Sequence, residues 1–304
     1  MFLPLGDDVN KRTLPIVGIL IILLCTMVYA HEFYLYGEDF TKNTNHVRNF
    51  FNQFGLRIDN LKEGAYIGLL THMFVHADLF HLVGNMLIFW ALVGTLEVTM
   101  GGAQLAFWYL VWGFAAAGAQ MLANPYEKLP MVGASGAISG VIGAYFVAFG
   151  ALTKLKALFF LGPFPMRIDL PAGLYVGLWV ASQFGGLAEA EQYGTSVAYW
   201  AHLGGFGGGV LTGFVMLRQM RSKISVDQHG QLQTEHDDIQ DDGLSPAARA
   251  ILVRQQMEDA AAARRQEAES WDCPHCATTV TAANKIADKM FRCPNERCKR
   301  LIYG

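Results

Sequence analysis

The chain is 304 residues long, 52% hydrophobic and 16% charged, with a mean hydropathy of +0.25 and a formal net charge of −3. Soluble domains carry about 25% charged residues, so this composition argues against a soluble globular protein and excludes a disordered chain, a collagen, a coiled coil and a disulfide-rich secreted module. The charge gives no sign of a general nucleic-acid binder, and the 32 glycines suit helices packed closely through small residues.

Six runs free of Asp, Glu, Lys and Arg follow one another at 14–30, 79–96, 103–123, 133–153, 170–188 and 198–217. Each is close to the ~20 residues that cross a bilayer, which predicts six transmembrane helices. The first starts after Lys11 and Arg12. It is too long for a signal-peptide core, so a retained helix is expected. Residues 32–65 form a long outer segment with many aromatics, among them Phe33, Tyr36, Phe50 and Phe54; short amphipathic helices at the membrane surface are expected there. Asp78 is placed to cap the second span. A turn at Gly101-Gly102 joins the second and third spans, and the fourth opens at Gly133-Ala134-Ser135-Gly136. Residues 154–169 read as an inner loop, and 186–197 as an outer loop and candidate lid before the last span.

With the N-terminus inside, Lys11, Arg12, Lys154, Lys156, Arg167, Arg218, Arg221 and Lys223 are inside, and Lys42, Arg48, Arg57, Lys62 and Lys128 outside, eight against five. That is the positive-inside bias. It predicts a multi-pass protein of the cell (plasma or inner) membrane with both termini cytoplasmic.

Composition changes after residue 222. Residues 1–222 read as the membrane domain, 223–244 as an acidic flexible linker, 245–270 as an amphipathic helix opened by Ser245-Pro246, and 271–304 as a small cysteine-containing module.

Polar groups inside a membrane are costly and are functional candidates by default. Those singled out are Ser135 at the start of span four, His202 near the start of span six, and His76, His81 and Asn85 at the start of span two. Spans two, four and six run in the same direction, so all five groups share one depth near the outer face. Ser135 and His202 pair a nucleophile with a base, since a serine hydroxyl attacks only when an imidazole takes its proton. No acidic residue lies within the spans, so a two-residue dyad is the reading. A helix N-terminus at Ser135 offers N–H groups to an oxyanion. His81 and Asn85, four apart on one helical face, are further donors. Against this, a serine in a membrane helix ordinarily bonds its own backbone or a neighbour, and His76 suits a structural tie.

Taken together, His76-(x4)-His81-(x3)-Asn85, Gly133-Ala134-Ser135-Gly136, Ala201-His202-Leu203-Gly204-Gly205 and Gly94-Thr95-Leu96-Glu97 resemble the rhomboid intramembrane serine proteases over residues 10–222. The resemblance implies an all-α polytopic membrane protein with a six-transmembrane-helix bundle. Catalysis would fall to Ser135 and His202, with the oxyanion held by the Ser135 N–H, His81 and Asn85. His76, Gly133, Gly136, Gly205 and Gly209 would support the site, with Gly205 and Gly209 on the face that packs against the serine-bearing helix. It further implies transmembrane protein substrates that enter from the bilayer and unwind, and no cofactor for catalysis. Two positions depart from the family. Ser139 stands where an aromatic often stacks on the histidine, so something else must orient His202, and the outer segment 32–65 has no Trp. A non-catalytic rhomboid-like protein that binds membrane helices is the alternative. A transporter is disfavoured by the absence of internal repeats and of acidic residues within the spans.

In the tail, Cys273-Pro274-His275-Cys276 and Cys293-Pro294-Asn295-Glu296-Arg297-Cys298 form two knuckles that resemble a zinc ribbon. The expectation is a small cytosolic zinc-ribbon-like domain with structural zinc on Cys273, Cys276, Cys293 and Cys298. Iron is the alternative metal, and a reducing cytosol disfavours disulfides. A cytosolic partner of the tail is unknown.

Overall fold

The computed structural model describes residues 2–7, 14–37, 45–161, 164–193 and 197–222, followed by short stretches between 224 and 303. The chain divides into two compact units, one of residues 1–223 and 236–249, the other of 224–235 and 250–304. In the first unit strand β1 (Phe2–Asp7) precedes the long helix α1 (Ile16–Tyr36). Three short helices follow, α2 (Asn45–Phe54), α3 (Ile58–Lys62) and α4 (Gly68–Thr71). Then come α5 (Leu79–Met100), α6 (Gly102–Ala123), α7 (Ser135–Phe149), the hairpin β2 (Lys154–Leu161) and β3 (Phe164–Pro171), α8 (Ala172–Tyr193) and α9 (Tyr199–Ser222).

A helix therefore coincides with each of the six uncharged runs. Four of them, α1, α5, α6 and residues 199–218 of α9, are long and apolar enough to cross a membrane, which makes this a multi-pass membrane protein. Helix α7 is apolar but has only 15 residues, ~22 Å at 1.5 Å per residue against a ~30 Å hydrocarbon core. Helix α8 has 22 residues but carries Glu189 and Glu191 in its last turns.

Helix α7 is the core of the bundle, with twelve of its residues buried. Its contact with α9 is made through glycines. A Cβ at Gly205 would collide with the Gly136 carbonyl, one at Gly209 with the Gly140 carbonyl, and one at Gly143 with the Phe206 carbonyl. At Gly213 it would lie 2.7 Å from Val147 Cβ, and at Gly136, on the side facing α6, 2.6 Å from Ala116 Cβ. Dispersion contacts between backbones replace side-chain packing here, which is the small-residue solution to helix association in lipid. Trp112 of α6 packs over Gly140 and donates its indole N–H to Thr212 Oγ1 of α9 (3.1 Å), so three helices are locked together.

Glu97, near the end of α5, closes the other end of the bundle. Its two carboxylate oxygens accept the N–H groups of Val17 (2.9 Å) and Gly18 (2.8 Å), satisfying first-turn donors of α1 that have no intrahelical partner.

Two stretches differ from expectation. Residues 154–169 are not an irregular loop. β2 pairs antiparallel with β3 and with β1, in the order β1-β2-β3. The cause is a period-two pattern, with Leu155 and Ala157 buried and Lys154 and Lys156 exposed. Pro165 and Pro171 sit in β3, an edge strand, where a missing N–H is tolerated. Asp7 anchors this sheet to the bundle, its carboxylate accepting from Thr95 Oγ1 of α5 and from Tyr145 Oη of α7 (2.9 Å). Residues 186–193, expected as part of an outer loop, are the last turns of α8.

In the second unit β4 (Ile224–Val226) pairs with β5 (Leu232–Thr234) inside the stretch read as linker. β6 (Trp271–Asp272) pairs with β7 (Thr279–Val280), and β8 (Lys285–Ala287), β9 (Met290–Arg292) and β10 (Leu301–Tyr303) form an antiparallel sheet in the order β10-β9-β8. The helix expected at 245–270 lies outside the described residues, as do Cys273 and Cys293. Cys276 lies between β6 and β7, and Cys298 between β9 and β10. Among the described residues no group of three or more potential metal ligands occurs.

The helix interface gives a direct stability test. Gly205→Phe is expected to cost about 3 kcal/mol or more, read as a lower thermal unfolding midpoint in detergent. An unchanged midpoint would contradict the close contact of α7 and α9.

Candidate active site

Helix α7 begins at Ser135, and three of the four residues before it, Met131, Gly133 and Ala134, are held from outside by hydrogen bonds to their backbone. Met131 and Leu56 exchange backbone hydrogen bonds (2.9 Å each), and Gly133 N–H donates to His72 O (2.8 Å). His76 completes the support. Its Nδ1 lies 3.2 Å from Phe74 O, and its Nε2 accepts the Ala134 N–H at 3.4 Å. A neutral ring is needed for that second bond. Burial pushes the pKa values of His72 and His76, both in the segment ahead of α5, down to about 4. His76 thus holds the backbone one residue before the serine. Gly133 has φ +118°, a conformation that favours glycine, and a Cβ there would lie 2.6 Å from His81 Cε1.

Ser135 Oγ is 2.9 Å from His202 Nε2. On the other side of the ring, His202 Nδ1 is 2.7 Å from Gln183 Oε1 of α8. The ring is flanked by Trp179, centroids 6.4 Å apart and inclined 41°, and by Tyr199, 6.2 Å away and perpendicular. Trp179, Gln183 and Gly186 form one stripe of α8, at spacings i, i+4 and i+7. They face Tyr199, His202 and Phe206 of α9, Gly186 lying directly against the Tyr199 ring. The start of α9 is itself anchored by Gln120 of α6, whose Oε1 accepts the Ala201 N–H (3.2 Å).

Ser135, His202, His81, Asn85, Gly133 and Gly136 all line one cavity of about 1180 Å3. Asp78 caps α5 by accepting the His81 N–H (2.8 Å), as its position in the sequence suggested. Asn85 is buried, and its Nδ2 has no hydrogen-bond partner among the described residues. Ser135 stands at the first position of its helix, where N–H groups lack intrahelical acceptors. The arrangement combines a hydroxyl bonded to an imidazole, N–H donors and a cavity. That is the equipment for acyl transfer.

Ser139 is buried and donates to Ser135 O (2.7 Å). It lies at the α7–α9 contact, where a Cβ at Gly205 would be 3.4 Å from its own Cβ, so the place of an aromatic beside the histidine is taken by Trp179 and Tyr199. Cys25 is buried in α1. Gln183, Trp179 and Gln120 were not among the sequence candidates. Their signal was present: two amides inside uncharged runs, and a tryptophan four residues before one of them.

A family model described as the Rhomboid domain matches residues 63–219, just over half of the chain, a stretch that includes Ser135, His202, His81, Asn85 and Gln183. The chain belongs to the rhomboid family. The rhomboid is 32% identical to Rhomboid protein 1, mitochondrial, of Saccharomyces cerevisiae over 164 residues, covering 52% of this chain and 44% of that protein. It is 29% identical to RHOMBOID-like protein 1 of Arabidopsis thaliana over 150 residues, 49% of this chain and 34% of the relative. With Rhomboid protease GluP of Bacillus subtilis it shares 34% identity over 104 residues, 34% of this chain and 20% of the relative. The rhomboid thus spans less than half the length of each of these relatives.

The turn ahead of Ser135 can be probed by itself. Gly133→Ala is expected to cost about 1–3 kcal/mol through backbone strain, measured as a lower unfolding midpoint. Equal stability would mean the position tolerates a side chain and the His81 ring yields.

Proposed function

We propose that this rhomboid is an intramembrane serine endopeptidase acting on transmembrane segments of other membrane proteins. The observation that carries the reading is the 2.9 Å contact between Ser135 Oγ and His202 Nε2 at a cavity among apolar helices. Ser135 Oγ attacks the carbonyl carbon of the scissile peptide bond as His202 Nε2 takes the hydroxyl proton. The tetrahedral oxyanion is held by the Ser135 N–H, His81 and Asn85. His202 then passes the proton to the departing amine, which leaves as the new N-terminus of the second fragment. A water molecule, deprotonated by His202, opens the acyl-enzyme and restores the serine. The unpartnered amide of Asn85 supports its role, since a donor kept for a charge that develops only during reaction has no ground-state partner to exchange. The similarity to the Bacillus subtilis relative, a protein named as a rhomboid protease, supports the same activity.

A helical peptide bond is shielded by its neighbours and by its own hydrogen bonds. Substrates must therefore unwind, and segments with Gly, Pro or other weak helix formers are the expected class. The Lys and Arg distribution supports cytoplasmic termini and cleavage near the opposite, outer face of the cell membrane.

Cleavage of a single-span substrate with a Gly- or Ala-containing weak helix in reconstituted bilayers tests the reading. Wild type should cleave, Ser135→Ala and His202→Ala should lose roughly 10³-fold or more, and Asn85→Ala on the order of 10²-fold. Cleavage by all variants would discard the dyad. A folded wild type that neither cleaves nor labels at Ser135 with a fluorophosphonate would instead indicate a non-catalytic helix binder.

For the tail we propose structural zinc on Cys273, Cys276, Cys293 and Cys298. Four thiolates match the tetrahedral preference of Zn²⁺, and the antiparallel pairs β6–β7 and β9–β10 bracket the two cysteine knuckles. The metal would join the knuckles and take no part in catalysis. Elemental analysis of the purified full chain should give about one zinc per chain, lost in Cys276→Ala/Cys298→Ala. A metal-free chain would remove the ribbon.

A further inference from the structure

An amide inside an apolar span is costly unless its hydrogen bonds are met. Gln183 is 6% exposed, and its contacts account for both ends of the side chain. Nε2 donates to Trp179 O (3.1 Å) and to Ser182 Oγ (2.9 Å), and Oε1 faces His202 Nδ1 at 2.7 Å. The Ser182 hydroxyl spends its own hydrogen on Trp179 O (2.6 Å), leaving lone pairs for the amide. Rotating the amide by 180° would set Oε1 against the Trp179 carbonyl and lose both donations, so the hydrogen-bond pattern fixes which end is oxygen.

A carbonyl oxygen only accepts. His202 Nδ1 must therefore carry a hydrogen, and in a neutral imidazole that leaves the lone pair on Nε2, the atom that faces Ser135. The aromatic neighbours Trp179 and Tyr199 limit the tilt of the ring but do not distinguish its two nitrogens. Only the Gln183 bond does.

We propose that Gln183 is the positioning residue of this site, fixing His202 as the Nδ1–H tautomer and aiming Nε2 at the serine. The proposal rests on the Ser135–His202 reading for its effect on cleavage. It differs from a triad with an acid. The amide oxygen accepts from Nδ1–H in both imidazole and imidazolium, receives no proton at any step, and supplies a dipole rather than a counter-charge.

The test uses the full-length protein with ¹⁵N-labelled histidine in micelles, the His202 signals assigned by their loss in His202→Ala. Wild type should show His202 with a protonated Nδ1 and an unprotonated Nε2. Gln183→Leu, similar in volume, should lose that single tautomer and lower kcat by at least roughly tenfold with KM within about twofold. Gln183→Glu retains an acceptor for Nδ1–H, so it should restore the tautomer and most of kcat; where its carboxylate is ionised, the acid limb of the pH profile also moves. The proposal is overturned if wild-type His202 carries its hydrogen on Nε2, or if Gln183→Leu leaves tautomer and kcat unchanged. It is overturned equally if the Leu and Glu variants lose activity alike with the tautomer intact, which is a structural effect. Failure of the dyad reading looks different. It appears as no cleavage by wild type, or as cleavage by Ser135→Ala, and the tautomer measurement still decides the role of Gln183.

Discussion

Everything at the site depends on two helix backbones lying in direct contact. Ser135 opens α7 and His202 is near the start of α9, and nothing in the covalent chain brings them together. The glycines do. At Gly205, Gly209 and Gly143 the facing residue is a peptide carbonyl rather than a side chain, which leaves almost no slack in the separation of the two axes. The 2.9 Å between Oγ and Nε2 is set by that contact, read one turn above the first crossing residues. A bundle held by large side chains would allow rotamer adjustments to absorb error. This one converts small errors in helix position directly into errors at the site.

Much of this could be read from the chain. Each uncharged run coincides with a helix, four of them long and apolar enough to cross a membrane, because the bilayer and the i to i+4 hydrogen bond leave few alternatives for an apolar segment. The parity of the spans placed His81, Asn85, Ser135 and His202 at one end of the bundle, and these four line one cavity. The resemblance placed Gly205 and Gly209 on the face that packs against the serine-bearing helix, and both lie at that contact. Asp78 was legible as a cap because capping is local chemistry.

What escaped the sequence was nonlocal or hidden by an emphasis on charge. Gln183 and Gln120 carry no charge, and their partners are 19 and 81 residues away. The strand pattern at 154–157 was visible as alternation, but its partner β1 stands almost 150 residues earlier. Asp7 is acidic and precedes the first span, a place where a carboxylate is ordinarily solvated, yet the fold buries it between Thr95 and Tyr145. The length of α7 was overestimated because apolar composition continues through residues that the chain uses for turns.

The stripe of α8 that faces His202 has a consequence for how a helix can be admitted. The serine and histidine belong to the glycine-locked pair, but the histidine takes its orientation from a third helix. That helix touches the first unit chiefly through α9, α7 and β3. It contributes Trp179 to the wall of the cavity. Any guest that pushed α8 aside would also withdraw Gln183 and Trp179 from the imidazole. On the proposed reading, admission past α8 and bond cleavage would then be sequential, because a displaced α8 no longer orients the imidazole.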